Sequence, residues 1–133
     1  MQNINQNLNA FFDQQLGALR CDDDTRAYIT SIFNKFLDST FDYSKESITL
    51  IYAEATYNQD FFTFQNIGDW IFFCNTLYPE HLKNASNNYY CSLGRSSYYS
   101  CYKLINRQWK LYENLADEFI PLSQSARKII RKP

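Results

Sequence analysis

The stretch Phe61 to Tyr78 constrains the fold more than any other part of this chain, because apolar side chains recur on nearly every side of its helical turns. Phe64, Ile67, Ile71, Cys74 and Tyr78 mark one face, and Trp70, Phe73 and Leu77 the adjacent one. A helix that is apolar all round belongs among other helices. The pattern predicts an all-α fold: a single compact bundle of six or seven helices, one domain over residues 1–133, with this apolar helix at its centre. Asn58 and Asp60 are candidate caps for its start, and Pro79 stops it. Pro79-Glu80-His81-Leu82 can open a short turn of its own.

The flanking segments carry the same period. Ile4, Leu8, Phe11, Phe12, Leu16 and Leu19 line one face of a first helix that should end near Arg20. Asp22, Asp23 and Asp24 can cap and charge-stabilise the next, whose apolar steps are Tyr28/Ile29, Ile32/Phe33 and Phe36/Leu37. Ser44 to Ser47 is a start for a third helix with Ile48, Ile51, Tyr52 and Ala55 facing inward. After the loop Asn84 to Asn88, capped by Ser86 or Asn87, Tyr90, Gly94, Tyr98 and Tyr102 form a ridge at steps of four. Cys91, Gly94, Ser97 and Cys101 place a narrow stripe beside it that lets another helix come close. Trp109, Tyr112, Leu115, Ala116 and Phe119 make a further helical face, which Leu122, Ala126, Ile129 and Ile130 continue beyond a kink or restart at Pro121.

Composition narrows the alternatives. Three glycines and three prolines in 133 residues are too few for an all-β sandwich or barrel with a turn every 8 to 12 positions. Eleven Tyr and eleven Phe make the core largely one of rings, whose buried hydroxyls need partners. The net charge of −1 conceals a division, −7 over residues 1–80 and +6 over residues 81–133. Contact between the halves or ordinary solvated faces accounts for it most simply, with an anionic partner for the basic half as the sharper reading. Nucleic acid is disfavoured, since the pI of about 5.7 is far from basic and the Tyr periodicity points to buried rings.

Four cysteines without a C-x-x-C, three of them in apolar stretches, fit a reducing compartment. The N-terminal Met1 to Asn7 lacks the pattern of a signal peptide, and no apolar run approaches the length of a membrane span. These features predict a cytoplasmic protein with no membrane partner, for which the sequon Asn84-Ala85-Ser86 has no role.

Two blocks, Phe64 to Trp70 and Tyr89 to Tyr98, each hold one glycine and one charge within an aromatic run. Asp69 and Arg95 are therefore the candidate site: a buried ion pair between the fourth and fifth helices, or a charged ligand pocket completed by Trp70, Tyr90, Tyr98 and His81. Gly68 and Gly94 fit the first as points of close helix approach. No nucleophile, second acid or polar loop accompanies the pair, so no catalytic residue is assigned. His81 with Cys74, Cys91 and Cys101 lacks the short paired steps of structural zinc, so no metal or cofactor is assigned either.

Through Ile67-Gly68-Asp69, Tyr78-Pro79-Glu80-His81-Leu82, Tyr89-Tyr90 and Leu93-Gly94-Arg95-Ser96-Ser97-Tyr98, with a looser match at Leu115 to Phe119, the chain resembles a largely uncharacterised family of small bacterial proteins. Its members join Leu-Gly-Asp, Pro-Glu and Tyr-Tyr/Met-Gly blocks. The resemblance covers about half the chain, departs from the family at Trp70 and the Asn-rich loop, and implies one all-helical domain without implying an activity. The expected function is a non-catalytic interaction or regulatory protein, acting on a protein partner or by self-association. The second expectation is a helical small-molecule binder with a pocket near Asp69 and Arg95.

Overall fold

Polar residues that start helices and side chains that force breaks divide the chain into seven α-helices and one 3-10 turn among the described residues, with no strand. The structure, a computed structural model, describes residues 4–37, 47–82 and 87–131. Helix α1 (Ile4–Leu16) is followed by α2 (Asp23–Leu37), where the Asp22 carboxylate accepts the Thr25 amide at 2.9 Å as a first-turn cap. Arg26 holds the corner between them: it donates to the Leu19 and Cys21 carbonyls and pairs with Asp23. Ser47 caps α3 (Ile48–Asn58) by accepting from the Leu50 amide, so that helix begins at the end of the stretch expected to open it. The Ser44 end of that stretch and the loop residues Asn84 to Ser86 lie outside the described residues.

Gln59, in the left-handed region at φ 51°, ends α3, and Asp60 caps α4 (Phe61–Leu77) one residue later. The turn Pro79–Leu82 follows as a separate 3-10 helix. Helix α5 (Asn87–Leu104) turns into α6 (Leu111–Asp117) through Asn106 and Arg107, both left-handed. Glu118 interrupts the next helix, and α7 (Phe119–Arg131) starts afresh with Pro121 in its first turn. Pro tolerates that place because the N–H it lacks has no partner in a first turn.

Helix α4 is the central element, packed against α2, α3, α5 and α7. Ile67, Ile71 and Phe72 are completely buried, and Phe64, Trp70 and Cys74 nearly so. Its far end is wetter than its all-round apolar pattern implies, with Tyr78 exposed and Phe73 and Leu77 only partly covered. Two glycines let neighbours approach. A Cβ on Gly68 would stand 2.8 Å from the Tyr98 ring of α5, and one on Gly94 would stand 2.7 Å from the Phe119 ring of α7. Gly94 thus serves α7 more than α4. Phe12, Leu16 and Leu19 bury as expected of the first helix, whereas Phe11 is exposed and the side chains of Ile4 and Leu8 lie outside the described ones. Trp109 also departs from expectation: it precedes α6, is half-exposed, and donates from Nε1 to Asp24 at 3.3 Å.

Candidate functional site

Asp69 sits at the middle of α4 with 3% of its surface exposed. One carboxylate oxygen, Oδ1, accepts from the Tyr28 hydroxyl at 2.8 Å and from the Tyr98 hydroxyl at 2.7 Å. The other, Oδ2, accepts from Lys35 Nζ at 3.0 Å. The carboxylate therefore ties α4 to α2 through two side chains and to α5 through one. Lys35 also donates to Asn66 Oδ1 and lies over the Phe36 ring. Around this knot the Tyr28, Tyr98 and Tyr112 rings pack, with Gln65 donating to the Tyr112 hydroxyl at 2.7 Å.

Burial raises the carboxyl of Asp69 above the ordinary aspartate range, against the opposing pull of Lys35 and the two hydroxyls. The same burial, reinforced by the negative charge beside them, pushes Tyr28 and Tyr98 far above the ordinary phenol range. Both stay protonated donors at neutral pH. Cys101 is driven up for the same two reasons and is held as an inert thiol directed at the Phe61 carbonyl. The three donors at Asp69 fasten α4 to α2 and α5.

The Asp69–Arg95 pair does not form. Arg95 is on the exposed side of α5, and its Nε donates to the Ala116 carbonyl at 3.0 Å. That carbonyl belongs to the last turn of α6, where carbonyls lack helical partners and a cation meets the negative end of the helix dipole. The reason lies in helix phase. Arg95 is three residues from Tyr98, but the inward stripe runs through Tyr90, Gly94, Tyr98 and Tyr102, and position 95 falls beside it rather than on it. The partner that was overlooked, Lys35, stands seven residues after Tyr28 on the stripe Tyr28, Ile32, Lys35, Phe36. A lone cation on an inward helical face was the available signal.

Trp70, Tyr90 and Tyr98 are buried core rings and do not join Arg95 in one pocket, and the side chain of His81 lies outside the described ones. Arg95 instead borders an open groove of about 360 Å³ between α5, α3 and the end of α6. Ser92, Ser96 and Ser100 line it at steps of four, with Tyr99 and Lys103 beyond; Tyr52 and Asp117 border its other sides. Among the described residues no three His, Cys, Asp or Glu side chains converge as a metal site, and no helix is long and apolar enough to cross a membrane. Among the described residues no ion pair crosses between the halves, since Arg26–Asp23 and Lys35–Asp69 both lie within the first 80. Comparison with protein-family models, with curated proteins and with solved structures finds no match to this chain.

Proposed function

We propose that this protein is a non-catalytic interaction protein that receives a protein partner on the outer face of α3. The observation that carries the reading is a mismatch between what α3 is made of and how little of it is covered. Its sequence, ITLIYAEATYN, holds a single charge and is apolar on most sides, a composition that belongs in an interior. Yet only Ile48 and Ala55 are buried, α3 packs chiefly on α4, and Leu50 and Tyr57 keep 65% and 89% of their surface exposed. Phe62, just past the corner into α4, is exposed as well. Large apolar side chains exposed together along one stretch of chain mark interaction sites more often than scattered single residues do. The Asp69 cluster supports the non-catalytic part, because its carboxylate is closed off by three donors that fasten helices together.

The test compares the native chain with Leu50→Asp and Tyr57→Ser by sedimentation velocity and by photo-crosslinking from position 57. A partner on this face gives either a concentration-dependent oligomer or a discrete crosslinked protein, and Leu50→Asp abolishes it with the helical spectrum unchanged. A monomer that yields no crosslink above background would refute the proposal.

A further inference from the structure

The groove beside Arg95 has a donor set that the fold itself leaves unused. Arg95 Nε is engaged by the Ala116 carbonyl, which fixes the direction of the guanidinium, while its two terminal nitrogens make no hydrogen bond or ion pair with any described residue. Lys103, two turns further along α5, lies against the Tyr99 ring at 5.3 Å and likewise has no acid within ion-pair distance among the described residues. Asp117 borders the groove without closing on either cation. The serines repeat the theme. Buried Ser97 returns its hydroxyl to the Leu93 carbonyl at 2.8 Å, whereas Ser92, Ser96 and Ser100 make no such bond within the described structure and face the groove.

We propose that this groove binds a small organic phosphate with an anionic group at each end, one held by Arg95 and the other by Lys103. Eight residues of helix separate the two cations, about 12 Å at 1.5 Å per residue. That separation of the two helix positions, with the Arg95 guanidinium held at the Ala116 carbonyl, suits a sugar-sized body between two charged groups. The volume of about 360 Å³ accommodates such a body. The planar fork of Arg95 grips one phosphate through two parallel donors, Lys103 supplies a point charge for the second, and the serine hydroxyls bond oxygens between them. Asp117 adds an acceptor for a ligand hydroxyl. The groove lies on the α5 side of the molecule, and its occupancy does not depend on whether a protein covers the outer face of α3.

The test is a titration of the full chain at low ionic strength with inorganic phosphate, glucose 6-phosphate and fructose 1,6-bisphosphate, followed by amide chemical shifts. The expected order of affinity is bisphosphate, then monophosphate, then inorganic phosphate, with shifts centred on residues 92–103. Arg95→Ala weakens the bisphosphate about tenfold, the scale of one lost charge-assisted contact. Lys103→Ala, an exposed change with no structural bond to lose, removes the preference for bisphosphate over monophosphate and leaves monophosphate affinity within about twofold. Absence of saturable binding to all three probes would overturn the proposal, as would a bisphosphate preference that survives in Lys103→Ala. Binding of a single-stranded oligonucleotide but of none of the small phosphates would overturn it too, in favour of a polymeric anion.

Discussion

Removing the Asp69 carboxylate leaves three donors without their common acceptor, and the three do not suffer alike. Tyr98 is fully buried and Tyr28 largely so, and an unsatisfied buried hydroxyl costs about 1–3 kcal/mol each. The Lys35 side chain is 37% exposed and can turn its ammonium to water, so its share is about 1 kcal/mol or less. Asp69→Ala should therefore destabilise by about 2–7 kcal/mol, a large part of the 5–15 kcal/mol typical of a domain. Asp69→Asn keeps an oxygen for both hydroxyls and loses only the charged contact with Lys35, so its cost should be about 1 kcal/mol or less. Arg95→Ala removes one part-buried hydrogen bond to a helix end, about 0.5–1.5 kcal/mol. Since Arg95 and Asp69 share no partner, a double-mutant cycle between them should close to within about 0.5 kcal/mol, while the cycle between Asp69 and Lys35 should show coupling of about 0.5–1 kcal/mol. Urea unfolding followed by circular dichroism reads all of these. Equal losses for the Asn and Ala variants would refute the acceptor argument, and coupling between Asp69 and Arg95 would refute the assignment of partners.

The pH dependence of the same cluster has a definite sign. Burial raises Asp69 in the folded state, so above pH about 4, where the unfolded carboxyl ionises, stability falls as pH rises until the folded group has ionised too. Lys35 opposes that rise, and Lys35→Met should therefore match the native chain in acid, where Asp69 is neutral in both, and fall progressively below it towards neutral pH; a gap independent of pH would contradict this. Gly94→Ala places a methyl 2.7 Å from the fully buried Phe119 ring, an overpacking of about 1–3 kcal/mol that outweighs the helix-propensity gain of up to about 1 kcal/mol, and a raised melting temperature would show that the ring yields. Among the four thiols, Cys21 alone is part-exposed, so a disulfide reagent should modify it first and reach Cys74, Cys91 and Cys101 only on unfolding. Simultaneous modification of all four in the native state would refute the buried placement.

Local chemistry was legible in the chain. The helical period, the caps at Asp22 and Asp60, the stop at Pro79 and the restart around Pro121 each depend on residues within a turn or two of one another, and such neighbours meet in any fold that forms the helix. The centrality of α4 was legible for a related reason, since a helix apolar on all sides has nowhere else to go. At α3 the expected inward face, Ile48, Ile51, Tyr52 and Ala55, is the covered one, while Leu50 and Tyr57, apolar residues off that face, stay in water. Periodicity reports which residues seek cover and says nothing of whether this chain supplies it.

Which charge meets Asp69 was decided only in three dimensions. Arg95 stood out as the one charge in the aromatic block Tyr89 to Tyr98, whereas Lys35 shares α2 with Arg26, Asp23 and Asp24. Each residue of an α-helix advances about 100°, so position 95, one step past the inward Gly94, turns out of the core, whereas Lys35, seven residues past Tyr28, returns to nearly the same face. That rotation, combined with the way α2 and α5 press on α4 where Gly68 admits the Tyr98 ring, brought Lys35 to the carboxylate and left Arg95 beside an open groove. A residue's own helix sets the direction of its side chain, but the partner it finds there depends on how separate helices are packed, and that packing is a property of the whole core.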